Sequence, residues 1–157
     1  MAGEMTDKED GRDPEGDHAM VEPITMLHYP IGTQWHQSVD TSDPAFVCWD
    51  PLHREIVLTT FQWESHIEAT HPALSGMMNH VEMTIRYPEL ITTDQKVSER
   101  RGYYLDHVFS NGQRYWIKVV VHFDETVKLN YDVDGFVVTS FMPVQPHRKE
   151  KREWIRH

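Results

Sequence analysis

The dipeptide Asn111-Gly112 constrains this chain more than any other feature, because alternating stretches flank it on both sides. Asn-Gly supplies two residues that tolerate positive φ, which a two-residue hairpin turn requires. Gly102 to Ser110 precedes it and Gln113 to Phe123 follows. In the second stretch Tyr115, Ile117, Val119 and Val121 fall on one face, and Trp116, Lys118, Val120 and His122 on the other. This spacing predicts an antiparallel pair of strands. Asp134-Gly135 introduces a further strand, Phe136 to Met142, stopped by Pro143. Ile91 to Val97 and the short, partly β-branched stretch His53 to Leu58 also read as strands.

Between the strands at 53–58 and 91–97 the apolar period changes to that of a helix. Thr59-Thr60-Phe61-Gln62 matches a capping box, with a hydroxyl at the cap and Gln62 three residues on. Trp63 and Ile67 form a stripe on the helix that follows, which stops at His71-Pro72 because the residue before proline is pushed out of the helical region. A second helix is predicted from Ala73 to Arg86, with Leu74, Met77, Met78, Val81 and Ile85 on its buried face and Pro88 beyond its end. Met77, Val81 and Ile85 are expected to pack against the strand face bearing Ile117 and Val119. Helices grouped ahead of a run of strands imply an α+β fold: two N-terminal helices packed on a roughly four-stranded antiparallel sheet.

Charge divides the rest of the chain. The net charge is −10 over 157 residues, and residues 1–20 hold seven acids against two bases and no aromatic residue. Residues 1–18 read as a disordered acidic tail. Residues 19–52 read as an irregular lead-in punctuated by Pro23, Pro30, Pro44 and Pro51. Residues 53–143 form the predicted domain, and 144–157 a basic C-terminal tail, whose plainer reading is a solvated, frayed end. The acidic balance argues against gripping nucleic acid by bulk charge, though not against a small basic pocket. One cysteine, Cys48, fits a reducing, cytoplasmic setting. No apolar run is long enough to span a membrane, and the acidic start lacks a signal peptide's apolar stretch. The eleven histidines contain no HxH or HExxH pattern, so no metal is expected, and no phosphate-binding loop, dinucleotide motif or nucleophile elbow is visible.

An ordered series of short motifs suggests a family. Leu58-Thr59 leads into a helix bearing His66-Ile67 and His71-Pro72; Pro88-Glu89-Leu90-Ile91, Tyr103-Tyr104, Trp116 to Val121, and Gly135 to Phe141 follow. This resembles the phage-associated branch of the barnase–EndoU–colicin–RelE-like ribonucleases, over roughly residues 53–143. The family often has Glu after His-Pro; here that residue is Ala73. The resemblance implies a barnase/RelE-like α+β fold. It also implies metal-independent endoribonuclease activity without a cofactor, with RNA as partner and, for a toxin or phage-borne effector, an antitoxin or immunity protein.

Cleaving RNA without a metal means moving the 2′-hydroxyl onto the adjacent phosphorus, with a base, an acid and groups that hold the phosphorane charge. His66 and His71 are candidates for proton transfer. They lie roughly 140° apart around a regular helix, so they do not suit a shared metal ion. The plainer readings are a core-edge histidine and a helix-end cap. Lys118, on the face of Trp116 and His122, is a candidate charge stabiliser or else a snorkelling surface lysine. Alternation lets one of Thr139 and Ser140 face a site, and the family resemblance favours Thr139, with Ser140 its rival on the other face. Arg100 and Arg101 read as a phosphate clamp or a charged turn, and Tyr103, Trp116 and Ser140 complete the candidate substrate contacts. The competing reading is a catalytically silent binding or structural module, which the acidic charge and Ala73 favour.

Overall fold

The computed structural model describes residues 42–157, so the acidic tail and most of the lead-in lie outside the described residues. The chain forms β1 (Pro44–Trp49) and β2 (Glu55–Thr59), then a helical stretch made of α1 (Thr60–Gln62), a π turn (Trp63–Ile67) and α2 (Glu68–Thr70). A 3₁₀ turn (Pro72–Leu74) and α3 (Met78–Arg86) follow. The remainder is β3 (Leu90–Thr93), β4 (Arg100–Val108), β5 (Arg114–Phe123), α4 (Glu125–Tyr131), β6 (Gly135–Phe141) and β7 (Lys151–Ile155).

The expected arrangement of two N-terminal helices on a four-stranded antiparallel sheet is incorrect. All seven strands join one sheet in the order β1-β2-β6-β5-β4-β3-β7, and the helices fall in the middle of the chain. The sheet is mixed, because β2 runs parallel to β6 through Ile56↔Gly135 and Val57↔Phe136, while the other pairs are antiparallel. The two unexpected strands have different causes. In β1, Phe46 and Cys48 are buried while Val47 and Trp49 are exposed, a period-two pattern hidden among prolines. β7 shows no such alternation, since three of its residues are charged; it is held by backbone pairing to β3, with Trp154 tucked against the core. The basic tail is therefore part of the sheet.

Local chemistry explains the helices. The Thr59 hydroxyl accepts from the Gln62 backbone N–H at 3.1 Å, as the capping pattern predicts, but the Gln62 side chain turns inward and donates to the Val138 carbonyl. In the π turn the Glu68 N–H reaches back to the Trp63 carbonyl, and Trp63 and Ile67 are both buried. The second helix starts at Met78 rather than Ala73, because Gly76 adopts φ +76°, which breaks the helix at little cost for glycine alone. Val81 and Ile85 are fully buried and share one core with Tyr103, Ile117, Val119 and Val121, with Met77 and Met78 at its margin. The expected seating of this helix on the Ile117 and Val119 face is what the structure shows.

An ionic network that runs from the buried Asp50 and Tyr103 to the surface closes this core. Asp50 accepts the Tyr103 hydroxyl at 2.6 Å and Arg54 Nε at 2.7 Å; Arg54 also reaches Glu153 at 3.0 Å, and Glu153 pairs with Arg101 at 2.8 Å. It joins the β1–β2 turn, β4 and β7. Removing Arg54 would leave the buried Asp50 carboxylate without its charged partner, which is strongly destabilising.

On the opposite face α4 packs at one end, where the Tyr131 ring lies 5.7 Å from that of Phe136, beside His122. On that face Arg100, Gly102 and Tyr104 of β4 stand beside His122, Val120 and Lys118 of β5, and Lys118 and Val120 stand beside Phe141 and Thr139 of β6. Four antiparallel steps separate β6 from β7, so those two strands run parallel. Residues 142–150 must therefore return across β5, β4 and β3 as a strap. They do so on this face, as contacts of Glu150 with Lys118, Tyr104 and Thr92 record.

Candidate active site

Lys118 is the centre of the strap-covered face. It is buried, and its Nζ lies 2.6 Å from Glu150 Oε2, 5.2 Å from the centre of the Tyr104 ring and 5.7 Å from that of Phe141. The second Glu150 oxygen accepts the Tyr104 hydroxyl at 2.7 Å and the Thr92 hydroxyl at 2.6 Å. Gly102 makes this convergence sterically feasible: a Cβ there would come within 2.9 Å of both Lys118 Cε and Thr92 Oγ1. Burial works against the Lys118 charge, but bonds to Glu150 and Tyr104 raise its pKa above the usual lysine value. Burial likewise pushes Glu150 up, yet Lys118, Thr92 and Tyr104 together hold it below the ordinary carboxylate range. The pair is ionised on both sides of neutrality.

Beyond Phe141 lies a cavity of about 690 Å³ lined by His71, Leu74, Phe109, Gln113, Tyr115 and Phe141, among others, so it takes residues from both faces of the sheet. That volume suits a small organic ligand or part of a larger one. His71 reaches it because the helix ends there, with His71 out of the helical region at φ −125°, ψ 71° before Pro72; its ring centre lies 5.8 Å from that of Phe141. Phe141 thus has His71 on one side and Lys118 on another. The hairpin forms, but its loop is residues 110–112, closed by the Phe109 N–H to the Gln113 carbonyl at 2.8 Å; of the Asn-Gly pair only Gly112 has a positive φ, +85°, and the Gln113 N–H bonds to the Asn111 side chain at 2.9 Å. Phe109 and Tyr115 meet edge to face at 5.7 Å.

A second polar centre lies along the same strands. Arg100 sits opposite His122, four residues from Tyr104, or about 13 Å at a strand's rise. His122 is buried with Nε2 2.9 Å from Asp124 Oδ2; burial lowers its pKa in spite of that carboxylate. Arg100 Nε and Nη2 are buried without a hydrogen-bond partner, and burial lowers its pKa.

The structure gathers some candidate residues and separates others. Lys118, Thr139, Trp116 and Arg100 share the strap-covered face, and His71 borders it. Thr139 is partly buried opposite Val120, whereas Ser140 faces the core and donates to the Lys118 carbonyl at 2.9 Å. Trp116 packs edge to face on Tyr104 at 6.5 Å. Tyr103 and Arg101 belong to the other face, within the Asp50–Arg54–Glu153 network. His66 is partly buried in the π turn and is not part of the cavity wall. Sequence reasoning missed Glu150, Tyr104 and Thr92. The alternation of β4 and β5 already put Tyr104 next to Lys118; nothing local marks Glu150, which sits in a run of bases.

Among the described residues no three His, Cys, Asp or Glu side chains come together to hold a metal ion, and no helix is long and apolar enough to cross a membrane. Burial pushes the Cys48 thiol up to about 12, so it is not a nucleophile near neutral pH. No protein-family model matches the chain, and no curated protein or solved structure does.

Proposed function

We propose that this protein is a cytoplasmic, metal-independent endoribonuclease of the toxin or phage-borne effector type, akin to the barnase–EndoU–colicin–RelE-like enzymes in its site residues though not in its sheet. The observation that supports it is the flanking of one aromatic ring, Phe141, by His71 and Lys118 at the mouth of an aromatic cavity. A nucleobase stacks on such rings without needing a particular sequence. His71 takes the 2′ proton as the 2′-oxygen bonds to phosphorus; the P–O5′ bond breaks, and the 5′-oxygen takes a proton from solvent. Lys118 and Thr139 hold the charge that develops on the phosphorane oxygens. The partners in this reading are RNA and an antitoxin or immunity protein. Purified protein incubated with end-labelled RNA in EDTA should yield 2′,3′-cyclic phosphate or 3′-phosphate ends. His71→Ala should lose about 10²–10⁴-fold in rate, the usual worth of an acid–base group. A strict Mg²⁺ requirement or 5′-phosphate products would overturn the mechanism.

One observation favours a second reading, a catalytically silent binding module: the Lys118 charge is already neutralised by Glu150. Absence of cleavage across tRNA, mRNA and ribosome-bound RNA would select it.

A further inference from the structure

Glu150 ends the strap, and its side chain is only 5% exposed. Three donors from three adjacent strands converge on its two oxygens: Lys118 Nζ from β5, Tyr104 Oη from β4 and Thr92 Oγ1 from β3. A carboxylate held in this way meets the same demands as a phosphate, which is also anionic, acceptor-only and served by charge-assisted bonds. The glycine at position 102 leaves the space in which these donors meet.

Apart from Glu150 itself, the strap is tied at its start, where the Trp116 N–H donates to the Pro143 carbonyl at 3.0 Å, and more weakly beyond it. Its hold on Tyr104 through the His147 N–H is long, at 3.4 Å, as is the turn bond from the Glu150 N–H to the His147 carbonyl, at 3.3 Å. Val144, Gln145, His147, Arg148 and Lys149 are exposed. A cavity of about 230 Å³ lies beneath, bordered by Thr92, His147, Arg148, Glu150 and Arg152. Apart from Glu150 its charged margin is basic, so an arriving polyanion meets attraction before it meets the internal acid.

We propose that Lys118, Tyr104 and Thr92 form a phosphate-type anion site that the chain fills with its own Glu150, and that a phosphate-bearing ligand takes the site by displacing the strap. For RNA as that ligand the inference rests on the ribonuclease reading; for the anion site it does not.

The test uses the full chain and two probes: inorganic phosphate, and a short 2′-O-methyl oligoribonucleotide that cannot undergo transesterification. Both are compared with sodium chloride at equal ionic strength. Amide hydrogen exchange at 143–150 should speed up several-fold as phosphate is added to the wild-type protein. Glu150→Ala should bind phosphate at least about tenfold more tightly, the gain expected when a competitor occupying the site nine-tenths of the time is removed. Lys118→Met in that background should abolish the gain. Glu150→Gln serves where the alanine variant does not fold. Exchange that neither probe changes in the wild type overturns the proposal, as does equal affinity for both probes with and without Lys118. Response to the oligonucleotide but not to phosphate would assign the site to a phosphodiester chain rather than a free ion. Phosphate opening without RNA cleavage by Glu150→Ala leaves the anion site standing and removes the ribonuclease reading; cleavage without any phosphate response does the reverse.

Discussion

The two faces of the sheet are built on different principles. The helix-covered face is a continuous apolar core, with Val81 and Ile85 against Ile117, Val119 and Val121. The strap-covered face buries a lysine, a glutamate, a tyrosine and a threonine in one hydrogen-bonded cluster. The first is non-directional and tolerates exchange among hydrophobic residues of similar volume. The second depends on individual atoms, because each buried polar group needs its partner. The helix-covered face thus rests mainly on apolar packing, and the other carries a polar cluster that nine residues of connecting chain, 142–150, hold together.

Substitutions separate the two. Val81→Asp places a carboxylate in the fully buried helix–sheet seam and should abolish cooperative unfolding, since an unpaired buried charge costs several kcal/mol; a soluble variant with a sharp melt would break the comparison. Glu150→Ala should be milder, about 3 kcal/mol as read by denaturant titration, with the core intact. Adding Lys118→Met should recover most of that loss, because removing both charges is close to neutral. A double variant as unstable as the sum of its singles would show the pair to be structural rather than exchangeable. Gly102→Ala should cost less again, about 1–3 kcal/mol for overpacking, as Lys118 and Thr92 shift away from the new methyl. Weakened protection of the strap in hydrogen exchange, with α3 unaffected, is the expected signature.

The smallest effect concerns pH and samples both faces. His122 on the strap-covered face and His80, whose ring lies 4.7 Å from His107 on the core side, both have lowered pKa values, through burial first. A histidine that binds its proton less well when folded loses stability for the fold as pH drops below the unfolded value, about 6.5. Melting temperature should therefore fall from pH 7 to 5, and His122→Gln should flatten part of the slope. The Lys118–Glu150 pair adds nothing in that window: a depressed carboxylate loses its contribution only as pH falls below its ordinary range, and a raised lysine only as pH climbs above its own. A melting temperature that rises on acidification would contradict this assignment.

Much of the helix-covered face was legible from residue order alone. The Thr59 cap, the stop at Pro72, the α3 stripe, the Asn111-Gly112 turn and the alternation of β5 all express local rules, in which side-chain spacing and backbone preference point the same way. That alternation also put Lys118 and His122 together on the opposite face. The failures share a cause. β7 has no hydrophobic period, and it exists because β3 offers an unpaired edge to which any extended backbone adds hydrogen bonds. The parallel β2–β6 pair joins segments about eighty residues apart, and no local pattern encodes a partner at that distance. Glu150 lies 32 residues from Lys118 in sequence, and reaches it only because β7 must start at the far side of the sheet, which forces the intervening chain across the polar face. Spacing dictated which side chains share a strand face; the strand order decided which distant charge would be buried against them.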